Sequence, residues 1–81
     1  MMNSEQLEQL TGIEWREDFL SGQMIGASDD GFVDYWLDET STGRAWLTVV
    51  RGMYETRYLM PTLDAAIDFI NEKEQALLAC I

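Results

Sequence analysis

The stretch from residue 31 to residue 71 constrains the fold most. Residues 32–39, 44–51 and 53–60 each read as a strand, with β-branched and aromatic residues in alternation and turn-forming segments between them. Pro61 then stops the third strand, because proline has no N–H to give to a ladder. A helical pattern opens at Leu63, with Thr62 as its N-cap. Such an order describes a sheet laid down one hairpin at a time and then covered by a helix. No catalytic or cofactor motif interrupts it, so the informative property of this chain is the surface its sheet offers.

In the first of these strands Val33, Tyr35 and Leu37 point to one face, and Phe32, Asp34, Trp36 and Asp38 to the other. The first set is the candidate core. A hairpin closed by loop 39–43, with Asp38 facing Arg44, pairs Leu37 with Ala45, Trp36 with Trp46, Tyr35 with Leu47, Asp34 with Thr48 and Val33 with Val49. That register places like with like and an opposite-charge pair at the mouth. The next turn is expected at Arg51-Gly52. A two-residue loop there pairs Val50 with Met53 and puts Tyr54, Thr56 and Tyr58 on the face of Val33, Tyr35 and Leu37; a three-residue loop turns them to the other face. The residue pattern allows both.

Upstream, residues 1–11 suit a short amphipathic helix, capped by Asn3 or Ser4, with Leu7 and Leu10 as its apolar edge and Gly12 at its end. Ile13 and Trp15 alternate with Glu14 and Arg16 as in a strand with one buried face, residues 18–22 form a turn, and 23–28 a second short strand in which Gly26 suggests a bulge. Ser28-Asp29-Asp30-Gly31 is a turn by residue type. In the last helix Leu63, Ala66, Ile67, Ile70 and Leu77 keep helical spacing, with Phe69 at the stripe's edge and Asp64, Asp68, Asn71, Glu72 and Gln75 on the wet side. The expected fold is α+β. It is a single domain over residues 1–81: an antiparallel meander sheet of three to five strands, a short N-terminal helix, and a C-terminal helix packed across the Val33, Tyr35 and Leu37 face.

Composition narrows the function. A domain of 81 residues buries only about 60% of its unfolded surface, so every apolar face matters. Cys80 is the lone cysteine and there is no histidine, which leaves no internal disulfide, no zinc-site spacing and no activated thiol nucleophile. Asp29-Asp30-Gly31 lacks the spaced oxygen ligands of a calcium loop. Neither a glycine-rich phosphate loop nor a carboxylate pair suited to general acid and base work stands out. The chain is therefore expected to be no enzyme, with no cofactor, metal or catalytic residue. Without a basic leader or an apolar run long enough to cross a bilayer, it reads as cytoplasmic.

Fifteen acidic residues against five basic ones give a net charge of −10. Phosphate backbones and anionic membranes should repel such a chain, while a basic protein groove should capture it. Two features are candidates for contact. The second sheet face shows Phe32, Trp36, Trp46, Val50, Met53 and Leu59 among Asp34, Asp38, Glu55, Arg44 and Arg57; either the N-terminal elements cover it, or part of it stays open as an interface with aromatic anchors and a charged rim. The carboxylates Asp29, Asp30, Asp34, Asp38 and Glu39 are the other. On one strand face Asp34 and Asp38 stand about 13 Å apart at ~3.3 Å per residue, too far to share a metal or proton. They could be successive anionic points for a partner's Arg and Lys, or simply a solvated edge.

The order Ile13-Glu14-Trp15, Gly31-Phe32-Val33-Asp34-Tyr35-Trp36-Leu37, Arg44-Ala45-Trp46-Leu47-Thr48-Val49 and Pro61-Thr62-Leu63-Asp64-Ala65-Ala66-Ile67 resembles short phage and prophage proteins in which a small meander ends in a helix. With its length and acidity, the chain resembles the anti-CRISPR proteins as a group, some of which occupy basic nucleic-acid sites of RNA-guided complexes. The resemblance implies a non-enzymatic inhibitor acting in the host cytoplasm. Its partner would be a basic surface of a host protein or ribonucleoprotein complex, with no direct contact to nucleic acid or membrane. Asp29, Asp30, Asp34, Asp38 and Glu55 would supply charge, and Trp36 and Trp46 contact area. The competing expectation is a self-associating module whose aromatic face forms a homodimer and whose acidity serves solubility.

Overall fold

The computed structural model describes residues 3–28 and 31–79, with side chains as far as residue 76. Helix α1 (Ser4–Thr11) is followed by strands β1 (Glu14–Glu17), β2 (Met24–Ala27), β3 (Val33–Glu39), β4 (Ala45–Arg51) and β5 (Tyr54–Met60), and then by helix α2 (Leu63–Ala79). The strands make one antiparallel sheet in the order β1-β2-β3-β4-β5. The fold is α+β, a five-stranded meander with a short N-terminal and a longer C-terminal helix.

Each helix begins where its sequence provides a cap. Asn3 accepts from the Gln6 N–H at 2.9 Å while the Gln6 side chain accepts from the Asn3 N–H at 3.0 Å, a reciprocal capping box. Thr62 accepts from the Ala65 N–H at 3.1 Å to start α2. Both helices lie on the same side of the sheet, α1 against β1, α2 against β4 and β5, and the two against each other. Between helices and sheet sit Leu7, Ile13, Trp15, Met24, Val33, Tyr35, Leu37, Ala45, Leu47, Ala66, Ile67 and Ile70, as the strand alternation and helical stripe require. Each fully buried Leu or Ile contributes roughly 1.5–3 kcal/mol relative to exposure.

The β3–β4 hairpin departs from the expected register by two residues. The Thr40 N–H donates to the Arg44 carbonyl at 2.8 Å and the Gly43 N–H to the Thr40 carbonyl at 3.1 Å, so the loop comprises residues 41–43 instead of 39–43. Gly43 at φ +84° supplies the left-handed third position of a three-residue hairpin loop, and the Thr40 hydroxyl accepts from the Arg44 N–H at 3.1 Å. Leu37 therefore pairs with Leu47, Trp36 with Thr48 and Asp38 with Trp46. The two tryptophans share a face but are not directly opposite. A shift of two leaves every side chain on its expected face, because the pleat repeats every two residues.

The same holds for β4–β5. A two-residue loop is present, but its central residues are Gly52-Met53 instead of Arg51-Gly52, so Val50 pairs with Glu55, not Met53. Gly52 has φ +61° and Met53 has no positive φ, the arrangement of a turn with glycine first. Tyr54, Thr56 and Tyr58 pair with Arg51, Val49 and Leu47, on the helix-covered face. Phe32, Arg44 and Met53 lie outside the strands, in the connecting segments.

Two smaller expectations are corrected. Gly26 forms no bulge, since β2 pairs without interruption with both neighbours; its missing side chain makes room for the Trp15 ring. Asn71 is not simply on the wet side of α2: its side-chain amide donates to the Leu10 carbonyl at 3.1 Å and ties α2 to the end of α1. The Leu77 side chain and Cys80 lie outside the described residues.

Candidate functional site: the open face of the sheet

Because both helices stack on one side, no described element covers the other side of the sheet. The alternative in which the N-terminal elements cover this face is overturned: α1 packs beneath β1 on the helix side, and β1 and β2 widen the sheet instead of capping it.

The registers arrange the open face in rows across the strands. One row runs Glu14, Ala27, Asp34, Val50, Glu55 and carries three carboxylates. The next runs Arg16, Ile25, Trp36, Thr48, Arg57, with a guanidinium at each end and apolar bulk inside. The third brings Asp38 beside Trp46 and Leu59. Trp36 and Trp46 are half-buried by these neighbours, neither sealed nor free. The Arg57 guanidinium stands 4.2 Å above the centroid of the Trp46 ring, which anchors both groups by a cation–π contact.

Trp36 and Asp34 border two shallow grooves. One, of about 500 Å³, is also lined by Thr48, Val50, Glu55 and Arg57; the other, of about 340 Å³, by Arg16, Ile25 and Ala27. Trp36 is thus a ridge between two depressions, which suits it to contact a complementary surface.

Of the residues singled out from sequence, Asp34, Trp36, Asp38, Trp46 and Glu55 are brought together on this face. Asp29 and Asp30 lie outside the described residues. Glu39 alternates onto the opposite side, at the end of β3. Glu14, Arg16 and Ile25 were missed. Their membership follows from the pairing of β1 with β2 and β2 with β3, and the alternation of Arg16 with Trp15 was the available signal.

The acidity is not confined to the face. It carries Glu14, Asp34, Asp38 and Glu55 against Arg16 and Arg57, while Glu5 and Glu8 lie on α1 and Asp64, Asp68, Glu72 and Glu74 on α2. No helix among the described residues is long and apolar enough to cross a membrane. No protein-family model, curated protein or solved structure matches the chain. The class is therefore defined by fold and surface alone: a small α+β meander with one helix-covered and one uncovered sheet face.

Proposed function

We propose that the protein is a non-enzymatic binding module that inhibits a host defence complex, as an anti-CRISPR protein does, by seating its open sheet face on a basic nucleic-acid-binding surface. The observation that carries this reading is the uncovered face itself, where the Trp36 ridge is flanked by a row of three carboxylates. Large aromatic groups on an uncovered face gain most when a partner completes their burial, and carboxylates beside them select Arg and Lys in that partner. Asp34, Asp38 and Glu55 supply charge, and Trp36 and Trp46 supply contact area. The site of action is the host cytoplasm.

Face-to-face self-association is the weaker alternative. Stacking two copies of this face would bring Asp34, Asp38 and Glu55 of both into one desolvated interface, and like charges there cost several kcal/mol by the usual order of magnitude.

The test is expression of the chain in a bacterium with an active RNA-guided defence system, paired with capture on the tagged protein. The expected result is restored phage growth and recovery of the effector complex, both lost in Asp34→Lys/Asp38→Lys. Undiminished immunity with no effector recovered would overturn the inhibitor reading, and inhibition unchanged by the double reversal would overturn the electrostatic part.

A further inference from the structure

The sheet has two edges, and they are not alike. Strand β1 is four residues long, whereas β5 runs seven residues, from Tyr54 to Met60, with no proline, glycine or lysine and with an uninterrupted ladder to β4. Natural sheets usually blunt an edge of that length with proline or charged side chains, with a bulge, or with a covering element. The charges β5 carries, Glu55 and Arg57, are of opposite sign and so can pair instead of repel. Helix α2 packs on the face of β4 and β5, and residues 54–57 are all exposed.

The outward hydrogen-bonding groups of β5 can be assigned. The Thr40 N–H bond to Arg44 makes that pair hydrogen-bonded, and alternation along β4 then turns the backbone groups of Ala45, Leu47, Val49 and Arg51 towards β5. Their partners Met60, Tyr58, Thr56 and Tyr54 point inward. Glu55, Arg57 and Leu59 therefore present N–H and C=O groups outward, and their side chains lie on the open face.

We infer that β5 is a dimerisation edge that pairs antiparallel with β5 of a second copy about a two-fold axis at Thr56. Among the registers that set outward groups opposite outward groups, this one places Glu55 of each copy opposite Arg57 of the other, giving two charge pairs. Beyond the strand end it brings the turn residue Met53, 98% exposed, beside Leu59, 44% exposed, of the other copy. On the helix side Thr56 meets its own copy and Tyr54, 81% exposed, meets Tyr58, whose ring already rests 4.8 Å from that of Phe69. Shifting the register by two in either direction sets Arg57 against Arg57 or Glu55 against Glu55, which charge repulsion disfavours. The occupant that fits this edge is thus the strand itself, as an isologous interface demands. The product is a ten-stranded sheet with all helices on one side. The inference does not depend on the proposed inhibition, whose test uses Asp34 and Asp38 on β3.

Sedimentation of Glu55→Arg, Arg57→Glu and their equimolar mixture tests it. Wild-type chain should dimerise, and each single reversal should weaken the dimer by about tenfold or more, because every copy then meets its own charge. The mixture should restore assembly as a heterodimer, since positions 55 and 57 are both basic in the first variant and both acidic in the second. Independently, the amides of Glu55, Arg57 and Leu59 should gain protection from hydrogen exchange as protein concentration rises. A wild-type chain monomeric at high micromolar concentration, reversals without effect, a mixture no tighter than its components, or amides indifferent to concentration would each overturn the assignment.

Discussion

The ring of Trp15 rests on the backbone of Gly26: a methyl group placed on Gly26 would stand 2.8 Å from Trp15 Cε2 and 2.9 Å from Cδ2 and Cζ2. The indole is also held from its edge, where its N–H donates to the Thr11 hydroxyl at 2.8 Å and that hydroxyl donates to the Leu7 carbonyl at 2.7 Å. Trp15 thereby joins β1, β2 and α1 in one contact. A buried ring fixed in this way cannot move aside without loss. Gly26→Ala should cost about 1–3 kcal/mol, the range of overpacked cores, and chemical denaturation would read it as a lower midpoint with unchanged slope.

Tyr35 is fully buried, and its hydroxyl reaches Glu74 Oε1 at 2.7 Å across the layer between sheet and α2. Tyr35→Phe should destabilise the fold by about 1.5–3 kcal/mol, the range for a hydrogen bond to a carboxylate. Glu74→Gln, which keeps an acceptor in place, should cost less in the same thermal melts.

Asn71→Ala removes the link from α2 to the Leu10 carbonyl without touching the apolar stripe. A loss of about 0.5–1.5 kcal/mol is expected. Hydrogen exchange should place the faster opening at the end of α1 and the middle of α2, with the β3–β4 ladder little altered.

Arg57→Ala takes the guanidinium off the Trp46 ring, 4.2 Å from its centroid, and should cost about 0.5–1 kcal/mol as partly exposed cation–π pairs do. Trp46 fluorescence should shift towards that of a solvated indole.

For the proposed docking, Trp36→Ala should weaken capture of the partner by tenfold or more while leaving the core intact, since hot-spot truncations commonly cost about 2 kcal/mol or more. Asp34→Lys/Asp38→Lys should slow association and flatten its dependence on salt, which surface-binding kinetics across an ionic-strength series would measure.

Much of this architecture was legible in the chain. Alternation in residues 33–39 and 45–51 fixed which side chains meet the helices, and Thr62 with the Leu63, Ala66, Ile67 and Ile70 stripe fixed where α2 starts and how it faces. Loop closure was not legible. Residues 39–44 offer several positions at which Gly43 can turn the chain, and each two-residue slip preserves both faces, so the pattern could not choose between them. The Thr40 hydroxyl bond to the Arg44 amide is a local detail with no periodic signature. The meaning of Gly26 depended on which residue of β1 would lie across it, and that of Asn71 on where α1 would end. For the open face, sequence supplied the residues of β3 to β5 but not their continuation through Ile25 and Arg16, because short strands carry too few alternations to set a register.

Every strand pairs with the one made just before it, so the sheet can assemble in the order in which the chain leaves the ribosome. Each hairpin closes over a short loop at small entropic expense, and only the final helix must bring distant segments together, Glu74 to Tyr35 and Asn71 to Leu10. Until that helix arrives, α1 covers its side of the sheet at β1, and the β4–β5 part of that side stays wet. Refolding should therefore proceed by rapid hairpin zipping followed by a later docking step that completes the interior, and a nascent chain halted before residue 63 would expose the Leu47 side of β4 as well as the open face.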